Sequence, residues 1–386
     1  MSKLNIFAFL LFIFFLSISI THFAANNRTF NDNYDIDKYM KMGSWYVLDK
    51  KPYQDIRSVY PQLATYMFAI PYLFNDDLND LQAYRTIHSL MMDLALACLI
   101  ILIFQFRTEK KYLAFILLLP ACFYFSHNRY DVIPSLLVTL SLVSLFKERH
   151  YQAVIYLALA IMFKWYALVL VPIYISYYFR TGKIPLYKLT GIFFITIAIV
   201  ILPTIISIGF EDFYKPYRHH LNRGTNQESL LYLIYSSLHP WWQSLNKQFL
   251  LKMFFILQFS VAFLAIFAKI DEKQKVLYWS IASVAAFMVF AKFYSPQWIL
   301  WLSPLLLLIN GSGFFWFMVI SFDIVTYIYF PTIFGFRKSD EFLLLFLFHS
   351  IIMIKTLYLL YFLNFPVKII YSDINIKFNF SLPGGK

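Results

Sequence analysis

The stretch Leu189-Thr-Gly-Ile-Phe-Phe-Ile-Thr-Ile-Ala-Ile-Val-Ile-Leu-Pro-Thr-Ile-Ile-Ser-Ile208 contains no charged side chain. A helix needs roughly 20 such residues to cross the hydrocarbon of a bilayer, so this segment reads as a transmembrane span. Similar runs recur at residues 4–23, 87–106, 112–125, 132–146, 151–163, 165–179, 249–267, 276–291, 298–309, 314–330 and 342–363, several of them short. The reading is therefore all-α, a polytopic transmembrane helical bundle of about 10–13 spans. Of the 386 residues 60% are hydrophobic and 21% aromatic, more apolar surface than a soluble domain can hide. No polar block large enough to fold by itself interrupts the runs. One membrane domain is expected over residues 1–365, with a cytoplasmic tail over 366–386.

The net charge of +12 does not indicate nucleic-acid binding, because the cations fall in short clusters between apolar runs. Arg107/Lys110/Lys111, Lys147/Arg149, Arg180/Lys183/Lys188 and Lys269/Lys273/Lys275 lie at alternate span ends and can all face the cytoplasm, as the positive-inside rule requires. Residues 25–56, 127–131, 164, 209–229, 292–297 and 337–341 then face outward. Residues 60–74 are apolar but short and carry Pro61 and Pro71, so they read as an interfacial or re-entrant helix on the outward side. Residues 4–23 are expected to stay as a first span, since Thr21-His22-Phe23 lacks the small-residue exit of a cleaved signal. Cys98 and Cys122 both lie in apolar runs without CxxC spacing, which supports neither a disulfide framework nor a zinc site.

The residues able to do chemistry gather on the expected outward face. Asp35 and Asp37 follow Asn31-Asp32-Asn33-Tyr34 in the first loop, where a carboxylate can take a proton from a hydroxyl; the plain alternative is a solvated acidic loop. Asp35-Ile-Asp37 has the spacing with which soluble nucleotide-sugar transferases hold a divalent cation. It faces away from cytoplasmic nucleotides, so this short match leaves any metal requirement open. Asn128-Arg129-Tyr130-Asp131 interrupts two apolar runs with opposite charges, which face either a polar cavity or each other as an Arg129–Asp131 ion pair. Lys164 splits residues 151–179 and sits at an outward hairpin, holding a substrate phosphate or snorkelling to the surface. Arg218 and His219 share the loop 209–229 with Lys215, His220 and Arg223, a cationic set suited to an anionic headgroup or a leaving phosphate. Adjacent histidines lack the helical spacing of zinc ligands. Asp323 and Lys355, in the last two spans, are expected to form a buried structural pair, and His88 and Asp93 to be packing partners.

Taken in order, Asp35-Ile-Asp-Lys-Tyr39, Lys51-Pro-Tyr53, Val59-Tyr-Pro-Gln-Leu63, Arg129-Tyr-Asp131, Phe163-Lys-Trp-Tyr166 with Pro172, and Ser295-Pro-Gln-Trp298 ahead of Trp301 and Pro304 resemble the polytopic GT-C glycosyltransferases. The similarity is to glycosyltransferase family 87, the mycobacterial polyprenyl-phosphomannose-dependent mannosyltransferases. The chain departs from the family's Tyr-Pro-Pro at Tyr60-Pro61-Gln62, and from its aliphatic-Tyr-Pro pattern after the lysine at Trp165-Tyr166-Ala167.

The resemblance implies a GT-C bundle in the plasma membrane, with juxtamembrane helices in the first outward loop and an active site on the extracytoplasmic side. It implies transfer of a hexose, mannose in that family, from a polyprenyl-phosphate donor to a lipid or glycan acceptor with inversion. Asp35 would be the general base, with Asp37 in reserve. Arg129 beside Asp131, together with Lys164, Arg218 and His219, would meet the departing phosphate, while Tyr294 and Gln297 would bind sugar hydroxyls. The expected partners are membrane lipids, the lipid-linked donor and the acceptor, with no nucleic acid. A transporter of lipid-linked sugars would also need many spans, but it predicts polar residues throughout the membrane depth. Here they gather at one face, with Asp323 and Lys355 as exceptions. An accessory subunit without catalysis would make the acidic loop expendable.

Overall fold

The computed structural model describes residues 32–238, 246–338 and 341–375. The expected first span at residues 4–23, and 376–386 of the expected tail, lie outside the described residues. Helix α1 (Asn33–Gly43) starts where the Asp32 carboxylate accepts from the backbone N–H of Tyr34 at 3.1 Å, satisfying one of the orphan donors of its first turn. Residues 60–74 form α2 (Gln62–Met67) and a 3-10 turn, Ile70–Leu73. Pro61 precedes α2 and Pro71 lies within the 3-10 turn, and both pieces are too short to span. The long α3 (Leu81–Phe106) begins at Asp80, whose carboxylate accepts from Ala83 N–H at 2.8 Å.

Two breaks in the middle of the chain position the polar residues. The helices α4 (Pro120–Asn128) and α5 (Val132–Phe146) meet at 112°, so Arg129, Tyr130 and Asp131 occupy the corner. After α6 (His150–Phe163), Lys164 adopts an extended conformation, and a 3-10 turn, Trp165–Leu170, leads into α7 (Val171–Thr181). The longest element, α8 (Leu186–Asn222), breaks at Gly209, whose φ of 80° and ψ of 166° suit a residue without Cβ. Residues 209–229, expected as a long loop, are thus helical as far as Asn222. The chain continues through α9 (Leu230–Leu238), α10 (Lys247–Leu264), α11 (Lys273–Phe290), α12 (Ile299–Leu306), α13 (Gly313–Tyr327) and α14 (Phe342–Asn375). That last helix runs through the expected domain boundary at residue 365.

Among the described residues five helices are long and apolar enough to cross a membrane, or six if α4 and α5 make one bent span. This is a helical membrane bundle, but with fewer full-length spans than the apolar runs suggested. The runs at 112–125, 151–163, 165–179 and 298–309 are built as shorter helices and 3-10 turns, broken at Pro120, Lys164 and Pro296. Hydropathy also cannot tell lipid-facing from protein-facing helices. Most of α11 is buried, whereas α8 turns Ile199 (69% exposed) and Ile206 (81% exposed) outward from the described bundle.

The basic clusters meet at one end of the bundle. Glu148, at the α5–α6 turn, pairs with Lys183 at 3.0 Å and with Lys273, and these hydrogen bonds pull its carboxyl down to about 2. Arg107 donates to the carbonyls of Leu307 (2.5 Å) and Ile309 (2.9 Å), capping the chain beyond α12.

Two expected pairings are corrected by the structure. Asp323 accepts from the backbone N–H groups of Ala121 and Cys122, both at 2.9 Å. It caps the start of α4 rather than meeting Lys355. The Lys355 ammonium donates to the Glu228 carbonyl at 3.0 Å and lies 3.3 Å from the Tyr294 ring centroid. Asp93 accepts from His127 Nδ1 at 2.9 Å, while His88 stacks on Tyr39 and Tyr84. In each case a helix N-terminus, a carbonyl or a ring supplied by a remote segment replaces the partner suggested by depth or proximity in sequence.

Candidate functional site

Helix α1 separates the two first-loop aspartates. Ile36, Tyr39 and Met40 bury one face of it against the bundle, and Asp35, one turn before Tyr39, lies beside that face. Its Oδ2 is 2.9 Å from Arg129 Nε, and its side chain is 17% exposed. Its Oδ1 meets Lys38 Nζ at 3.4 Å, where the lysine side chain is 40% exposed. Asp37 points away: its carboxylate is 43% exposed and pairs with Lys41 at 2.6 Å. The two carboxylates therefore do not form one chelate, and only Asp35 joins the polar corner.

Arg129 does not pair with Asp131. It bridges Asp35 and Asp32 and donates to the Asn128 carbonyl at 2.9 Å. Asn128 fixes this arrangement through its Oδ1, which accepts from Asp32 N–H at 3.2 Å and from Arg85 Nη2 at 2.8 Å. Arg85 also donates to Asn33 Oδ1 at 3.0 Å. Two buried arginines, Arg85 and Arg129, thus tie α1 to the α4–α5 corner.

The second half of the corner belongs to Asp131, fully buried, with three donor contacts: Lys164 Nζ at 3.0 and 3.2 Å, and Trp301 Nε1 at 2.7 Å. Lys164 Nζ also lies 4.4 Å from the Tyr130 ring centroid and 5.5 Å from that of Tyr60, the distances of cation–π attraction. Between the two charged pairs lies an aromatic floor. Tyr39 stacks on Phe68 with centroids 4.4 Å apart, and Tyr60 meets Tyr130 edge-on at 5.3 Å. Burial first, then the charges of Asp35 and Asp131, raise the Tyr60 hydroxyl above its ordinary range. It stays neutral and available as a hydrogen-bond donor.

Arg218 and His219 are near this corner but line a different feature. Past Gly209, α8 folds over residues 53–59, with His220 Nε2 2.8 Å from the Val59 carbonyl and His219 Nδ1 3.3 Å from Arg57 Nη2. The Trp165 ring, next to Lys164, stacks on Tyr217 at 4.6 Å and meets His220 edge-on at 5.0 Å. Beside this seam opens a cavity of about 530 Å³ lined by Arg57, Lys215, Arg218, His219 and Arg223 among others.

Tyr294 and Gln297 are buried further from Asp35. Asn226 clasps the Tyr294 backbone, donating to its carbonyl at 2.6 Å and accepting from its N–H at 3.0 Å. Gln297 Oε1 accepts from Ser295 Oγ at 2.5 Å. Ring contacts from Tyr294 to Trp298 (5.5 Å) and on to Trp301 (4.5 Å) connect them with Asp131. Next to Tyr294 the buried Glu228 has its carboxyl pushed up to about 7 by desolvation, with Lys355, Arg337 and Arg223 opposing.

The structure therefore brings together Asp35, Arg129, Asp131 and Lys164, sets Arg218 and His219 beside them, and leaves Asp37, Tyr294 and Gln297 outside. Asp32, Arg85 and Asn128 were not singled out in the sequence. Arg85 carried a signal as a cation near the start of α3, just ahead of an apolar run, and Asp32 and Asn128 stood in polar motifs without a role of their own. No protein-family model matches the chain, and no curated protein sequence is similar to it.

Proposed function

We propose that this chain is an inverting membrane glycosyltransferase of the GT-C type, which moves a hexose from a polyprenyl-phosphate donor to a hydroxyl of a lipid or glycan acceptor. The observation that carries the reading is Asp35, a carboxylate with one oxygen ion-paired to Arg129 and the other facing a partly exposed lysine. A base needs orientation without complete sequestration, and this arrangement supplies both. Asp35 Oδ1 takes the proton of the acceptor hydroxyl as its oxygen attacks the anomeric carbon. The bond from that carbon to the phosphate oxygen breaks with its electron pair leaving on the phosphate, and the anomeric configuration inverts. The proton on Asp35 is then lost to water.

Two further features support the reading. The floor of Tyr39, Tyr60 and Tyr130 beside Lys164 offers apolar faces and hydroxyls, the surface on which a sugar ring packs. The loop clusters joined at Glu148, with Lys183 and Lys273, lie at the other end of α5 and α6 from the Asp35 corner, and taking these as the cytoplasmic clusters turns the Asp35 end toward the extracytoplasmic side of the plasma membrane. The family resemblance suggests mannose as the hexose.

The test is transfer of label from a panel of polyprenyl-phosphate hexoses by the purified chain in lipid nanodiscs. We expect a new glycolipid or glycan product with the native chain and none with Asp35→Asn at unchanged expression and thermal stability. Full transfer by Asp35→Asn would sink the assignment of the base. Passage of intact donor across the bilayer without a new glycosidic bond would favour a transporter.

A further inference from the structure

We infer that the cavity beneath the second half of α8 is a binding site for a dianionic phosphate monoester, and that it discriminates against the phosphodiesters of bulk phospholipids. The inference begins with charge already spent at the Asp35 corner. Arg129 is shared by two carboxylates, and both oxygens of Asp131 engage Lys164. Neither cation brings unbalanced positive charge to a substrate. The unbalanced charge lies next door.

The cavity of about 530 Å³ is within the size range of small-molecule sites. Arg57, Arg218 and Arg223 line it and enter no ion pair among the described residues. The Arg57 guanidinium leans on His219, and Arg223 covers the Phe293 ring with its charged carbon 3.3 Å from the centroid. Both contacts orient a guanidinium without neutralising it. The fourth cation, Lys215, is paired with Asp212. Asp55, also in the lining, accepts from the backbone N–H of Lys51 at 2.9 Å. Counting the lining and the partner of Lys215, four cations thus stand against two carboxylates, an excess of two positive charges with the histidine neutral, while Asp35 and Glu228 act on Arg223 only from outside the lining.

That excess selects a ligand. A phosphate monoester carries close to two negative charges at neutral pH, whereas a phosphodiester carries one. Arginine presents paired N–H groups that match phosphate oxygens two at a time. A monoester offers three terminal oxygens to three guanidiniums, and a diester only two. Phosphatidylglycerol or phosphatidylethanolamine would leave one guanidinium without an anion. A polyprenyl phosphate or phosphatidic acid would leave none. The identity of the monoester as the carrier released by sugar transfer rests on the function proposed above, but the charge argument does not. If both hold, the cavity binds the leaving polyprenyl phosphate more tightly than the intact donor, itself a phosphodiester, and the carrier inhibits its own formation.

The experiment uses the full chain in phosphatidylcholine nanodiscs, titrated calorimetrically with farnesyl phosphate, phosphatidic acid and phosphatidylglycerol. We expect both monoesters to bind at least about tenfold more tightly than phosphatidylglycerol, and Arg57→Gln and Arg223→Gln each to weaken them about tenfold, the usual cost of a lost charge-assisted bond. Arg223→Lys, which keeps the charge and loses the fork, should fall between. Preference for farnesyl phosphate over phosphatidic acid would identify the carrier lipid as the ligand, and the reverse a bilayer lipid; either supports the site. Equal binding of monoester and diester, no binding, or unchanged affinity in the folded double variant Arg57→Gln/Arg223→Gln would overturn it. Monoester binding without sugar transfer would retain this site and remove the transferase reading.

Discussion

Arg129 Nε lies 2.9 Å from Asp35 Oδ2, and the same guanidinium reaches Asp32, 97 residues away in the chain. One buried cation therefore anchors the start of α1 to the corner between α4 and α5. Removing it leaves two carboxylates facing one another across a largely buried space. Because both aspartates keep some solvent, the loss is smaller than for a fully enclosed pair, and Arg129→Ala should cost about 1–3 kcal/mol in unfolding free energy. Arg129→Lys should recover part of that stability but not sugar transfer, since one ammonium cannot hold both carboxylates in the fork geometry. Denaturation midpoints and transfer rates of the two variants separate these effects.

Asp37→Asn should be close to silent. Its partner Lys41 is 73% exposed, and an exposed i,i+4 pair contributes only about 0.3–0.5 kcal/mol. We expect transfer within about twofold of the native chain, a difference of the same small size. Loss of transfer in Asp37→Asn with retention in Asp35→Asn would exchange the roles of the two residues.

The sequence made the charged interruptions legible and left their partners hidden. Arg129, Asp131 and Lys164 stand out because each breaks or borders an apolar run, where an ionisable group requires a reason, and Asp35 because it lies in an acidic loop between such runs. Which cation meets which carboxylate depends on contacts such as Trp301 to Asp131, 170 residues apart, and on the 112° corner that points Arg129 toward α1. Neighbours in sequence, Arg129 and Asp131, were natural candidates for a pair and instead serve two different ones. Among the described residues fewer apolar runs form full-length spans than composition suggests, for a related reason. A run such as 298–309 is apolar because it is enclosed by protein, and composition alone does not distinguish that from enclosure by lipid.

Asp323 and Lys355 offer a direct check of one such correction. Asp323 caps α4 through two backbone N–H groups, so Asp323→Ala removes two buried charge-assisted bonds and should destabilise the chain by roughly 2–4 kcal/mol. Lys355 satisfies a carbonyl on another segment. The stability losses of Asp323→Ala and Lys355→Met should therefore add, with a coupling below about 0.5 kcal/mol. A coupling several times larger would show that the two charges meet after all.

Glu228 gives the protein a pH dependence whose sign follows from burial. Its carboxyl ionises near 4.5 when exposed and is pushed up to about 7 in the fold, desolvation outweighing the attraction of Lys355, Arg337 and Arg223. The native state therefore holds a proton that the unfolded chain has already released, between those two values. Its stabilising contribution is complete below pH 4.5, declines as pH rises through that window, and is flat above 7. The slope approaches about 1.4 kcal/mol per pH unit at its steepest, before correction for water reaching the site. Glu228→Gln, neutral throughout, should abolish this part of the decline. Thermal midpoints of the native chain and Glu228→Gln between pH 4.5 and 8 test the assignment, because carboxylates held low, such as Glu148, weaken the fold on acidification instead. Parallel curves for the two proteins would mean that Glu228 ionises at its ordinary value in the folded chain.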